Sequence, residues 1–155
     1  ETKPIPSAAD MSNLTYFRPE GSDLTLVGNG NVEKEVDPDT YNPRPSMKYL
    51  EDVWLRLTKR IPRMADGEFF TGYAGLYTST PDLHPIVDKV DGIDGLYICT
   101  GFSGHGFKLS PAIGICMAEL ILENSAKTVD ISPLQMDRFS KGDLNQTTYD
   151  FRVIA

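Results

Sequence analysis

Gly101-Phe102-Ser103-Gly104-His105-Gly106-Phe107-Lys108-Leu109-Ser110-Pro111 decides how this sequence is read. It follows the short apolar run Leu96-Tyr97-Ile98-Cys99-Thr100 and leads into the apolar segment 112–122. That order predicts strand, glycine-rich loop, helix. The loop glycines let the backbone take left-handed conformations and approach a flat partner with no Cβ in the way. Ser110 is expected to cap the helix and Pro111 to take its first position, where a missing N–H costs nothing. The loop would then bring free backbone N–H groups and the positive end of a helix dipole to one place. An anionic or carbonyl-bearing ligand suits such a place, and Lys108 adds a full charge beside it. Taken alone, the loop is equally consistent with a glycine-rich turn that binds nothing.

Three motifs are excluded by counting. A nucleophile elbow needs glycine two places after Ser103, where His105 stands. A dinucleotide fingerprint needs glycine three places after Gly106, where Leu109 stands. No Gly-Lys-Ser or Gly-Lys-Thr phosphate loop occurs anywhere in the sequence.

The 155 residues, 40% of them hydrophobic, suit one folded globule with an ordinary core. A formal net charge of −7 argues against nucleic acid or an anionic membrane surface as partner, and no run approaches membrane-spanning length. Cys99 and Cys116 sit in apolar runs and are expected as buried thiols in a reducing, cytoplasmic setting. With His84 and His105 as the only imidazoles, their spacing matches no zinc site, and no metal is expected. The segment 112–122 has Glu119 as its only charged side chain and is apolar around most of its circumference, so it calls for neighbours on nearly every side. That feature, with a first residue Glu1 rather than methionine, leads to the expectation of a fragment or a subunit beside another chain.

Outward from the central loop, residues 1–11 look like an extended entry segment. Segments 14–17 and 24–27 are expected to form a hairpin around the turn 18–23. Residues 28–45 are rich in Asn, Asp, Gly and Pro and read as a surface connection. Ser46 should cap a helix to about Arg60, with Leu50, Val53, Trp54 and Leu57 on its packed face and Pro62 beyond its end. Segment 68–78 reads as a strand whose Gly72 and Gly75 mark a bulge or a close approach. Thr80-Pro81-Asp82 reads as a tight turn with Asp82 as turn-former rather than catalytic acid, and His84 has no assigned role. Two strands, 85–90 and 96–100, flank the turn 91–95. Segment 127–138 is broken by Pro133, and a polar tail follows.

Several stretches, in this order, resemble the C-terminal region of FAD-dependent amine oxidoreductases of the D-amino-acid oxidase family. They are Tyr16-Phe17-Arg18-Pro19-Glu20-Gly21, Gly75-Leu76-Tyr77-Thr78-Ser79-Thr80-Pro81-Asp82, Gly95 to Lys108, Pro111-Ala112-Ile113-Gly114, and Asp130-Ile131-Ser132-Pro133 with Arg138-Phe139. Sarcosine and dimethylglycine dehydrogenases and oxidases are the nearest members. The resemblance implies an α/β, mixed α+β fold: the C-terminal part of a two-domain protein, with a mixed or antiparallel substrate-domain sheet plus the last strand and helix of the FAD domain. Residues 1–78 would be the second half of the substrate domain, 79–139 the return to the FAD domain, and 140–155 a tail.

The same resemblance implies the site. Gly75, Gly101, Phe102, Ser103, Gly104, His105, Gly106, Phe107 and Lys108 would contact FAD, with the backbone amides of 104–108 at the pyrimidine edge of the ring. Lys108 would help hold the substrate carboxylate, with a solvated loop lysine as the plain alternative. Tyr77 would line the substrate side of the ring, or simply pack in a sheet. His105 would touch the flavin edge or only orient the loop. Some sarcosine oxidases fasten their flavin through a cysteine at the position of Gly75, so glycine here implies non-covalent FAD at that place. The FAD pyrophosphate site would lie on a glycine-rich fingerprint absent from this sequence, so this chain alone is expected to be inactive. The expected function is oxidation of a secondary or tertiary amino acid such as sarcosine, dimethylglycine or proline. The expected partners are the N-terminal FAD-binding half or a partner subunit and a small amino-acid substrate, with a homo-oligomer left open. A non-catalytic structural or interaction subunit that binds no FAD by itself is the rival reading.

Overall fold

The computed structural model describes residues 5–29 and 36–146. They form two compact units that divide along the chain between Leu76 and Tyr77.

The first unit opens with an antiparallel sheet of β1 (Ala8–Asp10), β2 (Thr15–Glu20) and β3 (Leu24–Asn29), in that order. The β2–β3 hairpin pairs Thr15 with Asn29 and Glu20 with Leu24, so its turn is shorter than the sequence suggested. Gly21 takes φ 63° there, a left-handed value that glycine adopts without a steric penalty. Within the hairpin the Tyr16 ring lies across Gly28, its cross-strand partner, and fills the space a side chain would need. Helix α1 (Met47–Arg60) starts where Ser46 predicts, the serine hydroxyl accepting the Tyr49 amide at 3.2 Å. Val53 and Leu57 are its buried residues, with Leu50 and Trp54 half-buried beside them. A short 3-10 turn, Pro62–Asp66, follows at the predicted stop.

The strand expected over 68–78 does not form among the described residues. A strand needs a neighbouring edge to satisfy its amides. Here the Ala74 amide bonds the Pro43 carbonyl at 2.8 Å, while Phe70 and Tyr73 stand exposed. Of the two glycines, Gly72 meets the expected close approach: a Cβ there would lie 2.9 Å from Pro45. At Gly75 a Cβ would meet open space.

The second unit is built on an antiparallel ribbon, β4 (Ile86–Lys89) with β5 (Tyr97–Thr100), and helix α2 (Gly106–Glu123). Val87, Cys116 and Ile131 are buried at its centre, wrapped by Ile113, Met117, Leu120, Ala126 and Leu134. Positions 113, 116, 117 and 120 recur at helical spacing, so one face of α2 makes this core. Its other apolar residues, including Ile115 and Leu122, remain exposed. Cys116 is buried as expected, but Cys99 is exposed. It lies on a two-stranded ribbon, and its side chain stands exposed there although the apolar run suggested it would be inside. A 3-10 turn (Ser132–Leu134) carries the predicted Pro133 break, and α3 (Arg138–Lys141) is the last element among the described residues. Of the predicted tail, residues 147–155 lie outside the described residues. No helix among the described residues is long and apolar enough to cross a membrane.

Candidate active-site loop

The loop after β5 is anchored at one end and open at the other. Gly101 and Ser103 are buried, Ser103 to 1% exposure, whereas Phe107 is 97% exposed and Lys108 to Ser110 are exposed too. The anchoring is explicit. The Ser103 amide donates to the Thr78 carbonyl at 3.0 Å, Ser79 and Phe102 form an isolated antiparallel bridge, and the Thr80 amide donates to Ser103 Oγ at 3.3 Å. Ser103 Oγ donates in turn to the Gly101 carbonyl at 3.2 Å. Gly101 takes φ 71°, and a Cβ on it would sit 2.5 Å from the Thr80 Cγ2 methyl, so both conformation and space demand glycine. Ser103 itself takes φ 49° and Gly104 φ 86°. Two consecutive left-handed residues turn the chain sharply away from the buried bridge and into α2.

Helix α2 begins five residues before the expected start. His105 is its N-cap residue and provides no side-chain cap bond, and Pro111 lies inside the helix. The reason is visible at Ser110. A proline at 111 has no N–H for the carbonyl four residues back, that of Phe107. Ser110 Oγ donates to that carbonyl at 2.8 Å and replaces the missing bond, so the helix runs through the proline. Ser110 is a substitute donor rather than a cap.

This correction moves the positive end of the helix dipole to Gly106 and places Lys108 within the first turn. The amides that open a helix have no intrahelical acceptors, His105 makes no side-chain cap bond to them, and the first turn carries no acidic residue. A cation there is disfavoured by about 0.3–1 kcal/mol through the dipole. Dipole and lysine together favour an electron-rich partner at this end of the helix. The donor set therefore fits the N1 and C2 carbonyl side of a flavin's pyrimidine ring, which presents acceptors and gains negative charge on reduction.

Tyr77, the first residue of this unit, is half-exposed on the segment leading to Thr78 and the bridge. His105 is half-buried at the helix start. The chain thus groups 101–108 into one loop-and-helix start. Gly75 belongs to the other unit.

A buried cluster adjoins the loop, and the sequence reading undervalued it. Asp82, read as a turn-former, does form that turn: its Oδ1 accepts the His84 amide at 3.1 Å. Its carboxylate also receives Arg138 in a two-pronged pair, Nε to Oδ2 at 2.7 Å and Nη2 to Oδ1 at 3.1 Å. The Thr80 hydroxyl lies 3.1 Å from Oδ1, and the Asn145 amide 3.2 Å from Oδ2. Burial alone would raise the Asp82 pKa, but the guanidinium, the two backbone amides and the hydroxyl outweigh it and hold the carboxyl well below the usual range. His84 Nδ1 lies 2.7 Å from the Asp82 carbonyl, which can only accept, so that nitrogen carries the proton. The signal for this cluster was a lone acid and a lone arginine separated by 56 residues, a pairing that only tertiary structure reveals.

No group of three or more candidate metal ligands occurs among the described residues.

Comparison with known proteins shows the family. A family model described as FAD dependent oxidoreductase, DAO, matches residues 1–120. The chain is 34% identical over 143 residues to FAD-dependent oxidoreductase domain-containing protein 1 of Bos taurus, covering 91% of this chain and 29% of that protein. It is 35% identical over 134 residues to monomeric sarcosine oxidase of Bacillus sp. (strain NS-129), covering 83% of this chain and 34% of that enzyme. The crystal structure of L-proline dehydrogenase from P. horikoshii superposes with a TM-score of 0.80 at 29% identity, over 92% of this chain and 39% of that one. The chain thus spans well under half the length of the relatives it matches. The mixed fold of two antiparallel sheets and helices is that of a part of such a two-domain protein. A buried glycine-serine anchor, an uncapped helix start and a matched family model converge: the chain belongs to the DAO family of FAD-dependent oxidoreductases.

Proposed function

We propose that this chain is the C-terminal portion of an FAD-dependent oxidoreductase acting on a secondary or tertiary amino acid of the sarcosine, dimethylglycine or proline type. The names of the sarcosine oxidase and proline dehydrogenase relatives support that substrate class. The single observation that carries the reading is the loop's asymmetry. Ser103 is locked inside in a left-handed conformation, while the chain from Gly104 onward opens to solvent at an uncapped helix start.

When bound, FAD supplies the two-electron acceptor that lets an amine be oxidised to an imine, which water then hydrolyses. The chain's own residues do the rest. The amides at the start of α2 stabilise negative charge at the pyrimidine edge, in the manner of an oxyanion hole. Lys108, exposed in the same turn, pairs with the carboxylate of the amino-acid substrate and fixes which carbon faces the ring. Tyr77 lines the substrate side, donating or accepting a hydrogen bond without adding charge. His105 orients the turn between the buried anchor and the helix. Binding is non-covalent at Gly75, which offers no side chain to attach. The pyrophosphate site is supplied by the N-terminal half or a partner subunit.

The test is reconstitution of the protein carrying this segment with FAD, followed by anaerobic addition of sarcosine, dimethylglycine or proline. The expected result is a yellow protein whose visible band bleaches with at least one of these amines. A colourless protein that takes up no FAD would overturn the assignment in favour of a non-catalytic subunit.

A further inference from the structure

We propose that the Asp82–Arg138 pair is a positioning clamp that sets the conformation of the 101–104 loop, acting through Thr80 and Ser103. Its purpose rests on the flavin-facing role given to that loop above; its mechanics do not.

The pair is buried on both sides, Arg138 to 4% and Asp82 to 8% exposure. A buried ion pair is by itself poor evidence for stabilisation, because desolvation consumes much of the Coulomb gain and apolar replacements are often neutral. What distinguishes this one is where its bonds lead. One carboxylate joins three separated segments: Thr80 and His84 in the turn, Arg138 in α3, and Asn145 beyond it. Arg138 also donates to the His84 carbonyl at 2.8 Å and the Gln135 carbonyl at 2.9 Å, and lies 4.1 Å from the Phe139 ring centre. Four of the guanidinium's five N–H donors are therefore aimed at holding the turn or its own segment.

The turn passes that constraint to the loop. The Thr80 hydroxyl, lying 2.7 Å from the His84 carbonyl as well as near Asp82, is fixed in one rotamer. That rotamer puts the Thr80 methyl against Gly101, and the Thr80 amide on Ser103 Oγ. Strain sits on both sides of this link. Leu83, next to Asp82, takes φ 60°, and Ser103 takes φ 49°, conformations that cost a residue with a Cβ about 1–3 kcal/mol and persist only when the surroundings over-determine them. For Leu83 and Ser103 the surroundings that do so are the Asp82 cluster and the Thr80–Ser103 bonds.

The test replaces the pair by apolar residues, Asp82→Leu with Arg138→Met, and follows amide hydrogen exchange residue by residue in the protein carrying this segment. The clamp predicts that the Ser103 and His105 amides exchange about tenfold faster, the equivalent of one net hydrogen bond lost. The Leu120 amide in the middle of α2 should keep its rate. Unchanged exchange at 103 and 105, or equal acceleration at Leu120, would reduce the pair to a general stabiliser and overturn the proposal. Should the double variant not fold, Arg138→Lys keeps the charge but loses the fork, and the same selective pattern is expected at about threefold. Exchange needs no flavin. Failure of the wild-type protein to take up FAD would sink the functional reading and leave this result standing.

Discussion

Gly101 and Thr80 meet so closely that neither can change alone. Alanine at 101 would put a methyl on Thr80 Cγ2 and would hold φ 71° against its own preference. Gly101→Ala is therefore expected to cost about 1–3 kcal/mol, read as a lower urea midpoint with an unchanged slope. Adding Thr80→Ser, which removes the offending methyl and keeps the hydroxyl, should recover part of the loss. Equal midpoints for the single and double variants would refute the contact. Lys108 lives at the same scale but on the functional side. Lys108→Met should retain flavin and raise KM for the amino acid about 10–100-fold, the worth of one charged hydrogen bond. Unchanged KM would make Lys108 a solvated loop lysine.

At the scale of elements, local chemistry decides the starts and stops. Ser46 caps α1 in the manner its sequence foretold, and Ser46→Ala should destabilise the first unit by about 1 kcal/mol, measurable in a thermal melt. The hairpin β2–β3, helix α1 and the β4–β5 ribbon were all legible, because each depends on residues near one another in sequence: the Gly21 turn, the Ser46 cap, the apolar runs on either side of the 91–95 turn. Helix α2 was misread at its start for a local reason of its own. Ser110-Pro111 is a good opening pair, yet the same two residues also let a helix pass through proline when the serine hydroxyl takes over the Phe107 carbonyl. The strand expected over 68–78 failed for the opposite reason. Its pattern was strand-like, but a strand is made by its neighbour, and pattern alone carries no neighbour. The loop's anchored half was invisible for the same cause: glycine spacing announces flexibility, whereas the bonds to Thr78 and Thr80 come from residues more than 20 positions away.

At the scale of the whole molecule, the acidic balance has a directional consequence. The folded pKa of Asp82 lies below its ordinary value, with Arg138 and the backbone donors overcoming burial. Asp10, Asp52, Glu119 and Asp130 are lowered too, by hydrogen bonds to their carboxylates. A depressed acid stabilises the fold fully above its unfolded pKa and loses that contribution as pH falls through the folded one. Stability should therefore hold near neutrality and decline below about pH 4. Asp82→Asn should flatten part of that acid limb, and an identical limb in the variant would contradict the role given to its carboxylate. Under the proposed function, the larger arrangement is a division of labour in a two-domain flavoprotein, in which this chain would contribute the ring-facing loop and another segment the pyrophosphate site. The exposed apolar side of α2, with Ile115 and Leu122, agrees with such a shared construction.

The most direct test of that arrangement is amide hydrogen exchange across residues 101–111 in the protein carrying this segment, with and without bound FAD. The account predicts slower exchange at Gly104, Gly106, Phe107 and Lys108 when FAD is present, with little change at Ser103, already tied to Thr78. Equal exchange at those four amides in both states would contradict it.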